Sequence, residues 1–140
     1  MPTIDLRPTS VWTSMLGVSL LAASAHSQAD QVVCDQLDEA SRSSYSQMSG
    51  VDSKIAGTDL SNEARAIFDH HDSQQCEVVH EEAVNGDPAV MYHQHLKAAA
   101  GSTDSYIWVA KKSGRVLREE TDIDVSNKGK GHQSLRFNYP

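Results

Sequence analysis

"SYIWVAKKSGRVLREETDID", Ser105 to Asp124, holds a tryptophan, a Lys-Lys-Ser-Gly break and a run of arginine and glutamates. Either the charges form a catalytic loop, or the stretch is a β-hairpin whose pleat sorts them. Lys112-Ser113-Gly114 suits a three-residue hairpin connection, a type I turn closed by a residue of positive φ, which Gly114 adopts without steric cost. That register sets Trp108 opposite Arg118 and Val109 opposite Leu117. Ile107, Val109 and Leu117 then share a core face, while Tyr106, Trp108, Val116, Arg118 and Glu120 share the other. A guanidinium over an indole across two strands is worth roughly 0.5–1 kcal/mol when exposed. Glu119 and Glu120 point to opposite faces, whereas two carboxylates acting as an acid–base pair must converge. The stretch reads as a hairpin.

Working outward, period two continues on both sides. "CEVVHEEAV" leads through Asn85-Gly86-Asp87-Pro88 into "AVMYHQHLK"; "AAAGSTD" turns into the hairpin; "SNKGKGH" reads as a glycine-rich loop; and "SLRFNY" alternates Leu135, Phe137 and Tyr139. Before Cys76 the period is helical. "QVVCDQLDEASRSSYSQM" places Val33, Leu37, Ala40 and Met48 on one stripe with Ser44 its only polar member, and Gly50 offers a stop. "VDSKIAGTDL" reads as a polar turn. "SNEARAIFDHH" predicts a second helix capped by Ser61, with Leu60, Ala64, Ile67 and Phe68 on one face. The expected fold class is α+β: N-terminal helices packed on a curved four- to five-stranded antiparallel meander.

The chain has 140 residues, which suits one domain. Its first part reads as a secretory leader. Arg7 precedes the uncharged run "VWTSMLGVSLLAASA", and Ala23-Ser24-Ala25 fits the small-residue cleavage pattern, with Ala29 a second end point. Residues 1–25 are thus expected to be a cleaved signal peptide, ending between 25 and 29, and residues 30–140 a single α+β domain. The apolar run is shorter than the about 20 residues a membrane helix needs, so no transmembrane span is expected in the mature chain. The expected location is periplasmic or secreted. Asp and Glu number 19 against 12 Lys and Arg, a net charge of −7. An acidic chain without a basic stripe argues against nucleic acid and anionic membrane surfaces.

Cys34 and Cys76 are the two cysteines, both in the exported part. An isolated pair in an oxidising compartment forms one disulfide, and no C-x-x-C spacing points to thiol chemistry.

Seven histidines raise a metal alternative. His93 and His95 lie two apart on a strand and so on one face, a usable ligand geometry, and His80 on the neighbouring strand comes near them in one register. Adjacent His70 and His71 diverge on a helix. The solvated face of a strand explains His93 and His95 equally. "NKGKGH" lacks the spacing of a phosphate loop. No cofactor is implied.

Three segments together, "CEVVHEEAVNGDPAVMYHQH", "SYIWVAKKSGRVLREETDIDV" and "GKGHQSLRFNY", resemble the C-terminal half of a family of small, functionally uncharacterised exported proteobacterial proteins. The matching positions include Cys76, Glu82, Gly86, Tyr92, Trp108, Gly114, Arg118, Glu120, His132, Arg136 and Tyr139. The W-x-x-x-x-x-G-x-x-x-R-x-E hairpin is similar to one in the periplasmic lipoprotein-carrier fold. The resemblance implies a sheet wrapped round a helix that holds acyl chains or lipid-modified peptides, and it agrees with a Cys34–Cys76 bridge. Tyr92, Trp108 and Arg118 are the ligand-contacting candidates. Two departures stand out: Arg115-Val116 replaces an expected Leu-Pro, and the interval between the cysteines is short, which implies a missing hairpin and a more open sheet. The expected function is a non-enzymatic exported protein that binds a lipid, a lipidated peptide or an envelope protein on its sheet.

Overall fold

The computed structural model describes residues 30–140; the signal peptide expected over residues 1–25, with its end between 25 and 29, lies outside the described residues. Helix α1 covers residues 30–47, and it is followed by β1 (Gly50–Gly57), α2 (Ser61–Asp69), β2 (Ser73–Val84), β3 (Asp87–Lys97), β4 (Gly101–Ala110), β5 (Val116–Val125) and β6 (Gly129–Asn138). The strands form one open antiparallel sheet in the order β1-β6-β5-β4-β3-β2. No helix among the described residues is long and apolar enough to cross a membrane.

The meander from β2 to β6 follows the expected alternation, but the sheet has six strands rather than four or five. The extra strand is β1, read from sequence as a polar turn. It pairs with β6 along its whole length, from Gly50↔Asn138 to Gly57↔Gly131. It is an edge strand exposed on both faces, so its side chains carry no alternation, and backbone pairing holds it together with the side-chain bonds Gln133–Ser53 and Asn138–Asp52. The interval between the cysteines holds this one strand and α2, so α2 falls between β1 and β2 instead of following α1 directly. β6 also begins earlier than expected, taking in Gly129 to His132.

Both helices pack on one face. On α1, Cys34 and Leu37 meet Ile107, Val116 and Phe137, with Val33, Ala40 and Tyr92 against them. On α2, Ala64 joins Leu60, Ile123 and Val125. Ser61 does not cap α2. Instead Asp59 Oδ1 accepts from Ser61 N at 3.1 Å and from Ser61 Oγ at 2.6 Å, the carboxylate being the stronger acceptor. Lys128 Nζ holds Glu63 of the first turn at 2.7 Å, fixing α2 to the β5–β6 turn. The disulfide Cys34–Cys76, with Cα atoms 5.2 Å apart, ties α1 to β2.

The hairpin keeps its expected partner Trp108↔Arg118, and Gly114 takes φ 71°. One residue beyond, the register shifts, so that Val109 faces Val116 and not Leu117. This β-bulge exchanges the two apolar residues: Val116 joins the core under α1, and Leu117 packs with Trp108, Met91 and Ala89 on the opposite face. Side chains serve the backbone of Val116. Its N–H donates to Ser44 Oγ at 2.8 Å, while Ser44 itself donates to Ala40 O at 2.6 Å. Its carbonyl accepts from the Tyr139 hydroxyl. The one polar residue on the α1 stripe is therefore the link between helix and sheet.

Candidate functional site

Between α1, α2 and the sheet lies a cleft of about 740 Å³. Asp38, Arg42 and Tyr45 of α1 line one wall; Ala64, Arg65, Phe68 and Asp69 of α2 line the other, with His71 beyond α2; Gln94, Leu96, Ile107, Glu119, Thr121, Gln133 and Leu135 form the floor. That volume suits a small organic ligand.

The floor follows from strand register. Gln94 faces Ser105, Ser105 faces Thr121, and Thr121 faces Gln133, so one polar row runs straight across β3 to β6. Largely apolar rows flank it: Leu96 and Ile123 with the buried Thr103 between them on the α2 side, Tyr92, Ile107 and Leu135 on the α1 side. Glu119 breaks this second apolar row, between Ile107 and Leu135.

Three floor residues are more than nine-tenths buried and still polar: Gln94 at 6 % exposure, Glu119 at 7 % and Thr121 at 3 %. Ser105 and Thr121 share a hydroxyl hydrogen bond at 2.9 Å, and Thr121 Oγ1 reaches Glu119 Oε1 at 3.4 Å. Desolvation pushes the Glu119 carboxyl up to about 7, opposed only by that long bond. Tyr45, half-exposed at the rim and edge-on to Phe137, is pushed up to about 12 by desolvation first and by the Glu119 charge second.

The opposite face carries the histidines and the tryptophan. Trp108 is buried there at 7 % exposure, its Nε1–H donating to Glu82 and the Arg118 guanidinium 4.8 Å above its ring. Arg118 also donates to Glu120 at 3.1 Å. Glu82 is held below its usual range, chiefly by the Trp108 bond. Asp104 Oδ1 accepts from His93 Nε2 at 3.0 Å and from His95 Nδ1 at 2.9 Å, and His93 stacks on Tyr106. Across β5, His132 Nδ1 lies 2.7 Å from Asp122.

Set against these positions, the sequence-derived candidates divide. Tyr92 lies on the helix face, whereas Trp108 and Arg118 lie on the other, so the three cannot contact one ligand. His93 and His95 do share a face and a carboxylate. His80 does not join them: the bulge at Val79 sets it on their face but opposite Met91, while Glu77 takes the place opposite His93, and His80 pairs with Glu82 at 3.5 Å. Among the described residues, no three His, Cys, Asp or Glu are arranged to hold a metal ion.

Gln94, Thr121 and Glu119 went unread as site residues. Their signal is a polar side chain with apolar neighbours two residues away on a strand, as in Tyr92-x-Gln94-x-Leu96.

No family model matches the chain, and neither a curated protein nor a solved structure matches it. What the cleft accommodates is therefore a question for its own chemistry: walls that mix charged side chains with Tyr45, Ala64 and Phe68, a floor with hydrogen-bonding capacity left over, and an opening between two helices.

Proposed function

We propose that the chain is an exported, non-enzymatic binding protein, periplasmic or secreted, that holds an amphiphile in the cleft between its helices and its sheet. One observation carries this reading: the floor of a cleft of about 740 Å³ presents Gln94 and Glu119, both more than nine-tenths buried, between apolar residues. Polar groups are buried at a cost unless partnered. A ligand with an apolar body and one polar group offers a partner to the floor and covers Phe68 and Leu135 at once. The disulfide supports the exported assignment, and by tying α1 to β2 it pre-shapes one wall of the cleft.

The test is to fill the cleft. Leu135 lines it and is only partly buried, so Leu135→Trp adds bulk there without emptying the core. Binding of a solvatochromic apolar dye is expected to weaken at least tenfold in Leu135→Trp, with the circular dichroism spectrum unchanged. Undiminished dye binding in the folded variant would refute the cleft as the site.

A further inference from the structure

Resting on that amphiphile reading, we infer that the polar group of the ligand is a primary ammonium, received by Glu119, Gln94 and Thr121 on the sheet floor. The argument begins with donors and acceptors. Glu119 Oε1 has only the Thr121 hydroxyl at 3.4 Å, and no lysine, arginine or histidine among the described residues hydrogen-bonds to Glu119. Gln94 has no side-chain hydrogen bond among the described residues although it is 6 % exposed and lines the cleft. The Nε2 of Gln133 donates to Ser53 Oγ at 3.3 Å, which leaves its Oε1 free to accept. The floor is thus rich in acceptors and holds one ionisable group without a counter-charge.

An ammonium carries three N–H donors and a positive charge. It supplies the charge that a buried carboxylate lacks, and the carboxylate, the Gln94 carbonyl and the Thr121 hydroxyl accept from it. A carboxylate head would face Glu119 with like charge, and an alcohol would leave the Glu119 charge uncompensated. The rim does not select a sign: Asp38 and Asp69 are set against Arg42 and Arg65, and Arg42 is already paired with Glu39 at 3.1 Å. Tyr45 from α1 and His71 beyond α2 complete the titratable groups that face the cleft. Selection therefore lies on the floor, and because the ionised carboxyl is the receiving form, capture strengthens as the pH rises.

Isothermal titration of the protein with decylamine, decanol and decanoate, each below its micelle concentration, tests this at pH 8 and pH 5.5. Decylamine is expected to bind at least tenfold tighter than the other two at pH 8. The preference should collapse at pH 5.5, and also in Glu119→Gln at pH 8, where decanol binding persists and reports an intact cleft. His71→Asn is expected to leave the pH effect in place. Equal binding of all three, or preference for decanoate, overturns the ammonium assignment while upholding the amphiphile reading. Binding of none overturns both. A pH effect lost in His71→Asn assigns the titration elsewhere and overturns the role given to Glu119.

Discussion

Replacing Glu119 by glutamine should make the protein more stable at alkaline pH and leave it unchanged at acid pH. Burial lifts the Glu119 carboxyl from its ordinary 4.5 to about 7, so the folded state holds the proton more tightly than the unfolded chain does. A group raised in this way contributes fully below the unfolded value. That contribution is then lost as the pH climbs through 4.5 towards the folded value, because the unfolded chain releases its proton first. The interval between the two values, at 1.36 kcal/mol for each pH unit, comes to about 3 kcal/mol of stability lost in the parent by pH 8. Glutamine keeps the shape and has no charge to desolvate, so the variant escapes this loss.

The assay is thermal unfolding of both ligand-free proteins at half-unit steps from pH 4 to 8.5. The two midpoints should coincide near pH 4 and diverge to roughly 10 °C in favour of Glu119→Gln by pH 8, since 1 kcal/mol moves the midpoint of a domain this size by about 4 °C. Every other titrating group is common to both proteins and cancels in the difference. Curves that run parallel across the whole range would show that the carboxyl ionises without cost, and the buried, uncompensated Glu119 would have to be abandoned.

Other perturbations test the frame around the cleft. Reducing Cys34–Cys76, or replacing both with serine, removes a cross-link over a separation of 42 residues; the expected loss is about 4 kcal/mol in the chain-entropy account, read as a fall in the urea midpoint, and an unmoved midpoint would mean that the bridge constrains nothing. In Gly101→Ala the new Cβ would lie 2.2 Å from Asp124 O and 2.9 Å from Val125 Cα, both backbone atoms. That forces β4 off β5 at a cost of about 2 kcal/mol or more, whereas Gly50→Ala, with nothing within 4 Å, should change stability by less than about 0.5 kcal/mol. Equal effects at the two glycines would contradict the close approach. Burial alone would raise Asp104, but the bonds from His95 and His93 outweigh it and hold the carboxyl low. Its contribution is therefore present above the ordinary carboxylate range and lost as pH falls through the folded value. Asp104→Asn should lower the thermal midpoint at pH 7 and converge with the parent in acid, and a gap that widens on acidification would reverse the assignment.

Much of the fold was legible because it depends on backbone period and turn chemistry. The Gly114 turn, the Trp108–Arg118 pair, the α1 stripe and the Cys34–Cys76 pair each rest on a local rule, and each stands in the structure. What was not legible needed information from a distant part of the chain. β1 is a strand only because β6 offers it a partner some eighty residues later. The bulge at Leu117 depends on Ser44 and Tyr139, which serve the backbone of Val116 from α1 and from the C-terminus. Likewise one extra residue at Val79 brings His80 to the face of His93 and His95 but leaves it opposite Met91, a shift that no alternation pattern reports.

The site presents a different case, because its central residue was within reach of the sequence. The pleat that separates Glu119 from Glu120 also places Glu119 opposite Ile107, on the face reserved for the core. The bulge lies beyond that pair and leaves it unchanged. Denying the glutamates a joint catalytic role therefore already buried one of them. A glutamate on a core face is costly unless paired or protonated, and Glu119, retained without a cation beside it, is the residue on which the proposed ammonium site rests. Gln94 points the same way from β3: it sits buried between Tyr92 and Leu96 on an inward face and lines the cleft. On β-strands packed under helices, the residue that violates the alternation is a better guide to binding than the cluster of charges that obeys it. In this chain His93, His95, His132 and Arg118 obey it on the outer face, and Glu119, Thr121 and Gln94 violate it beneath the helices.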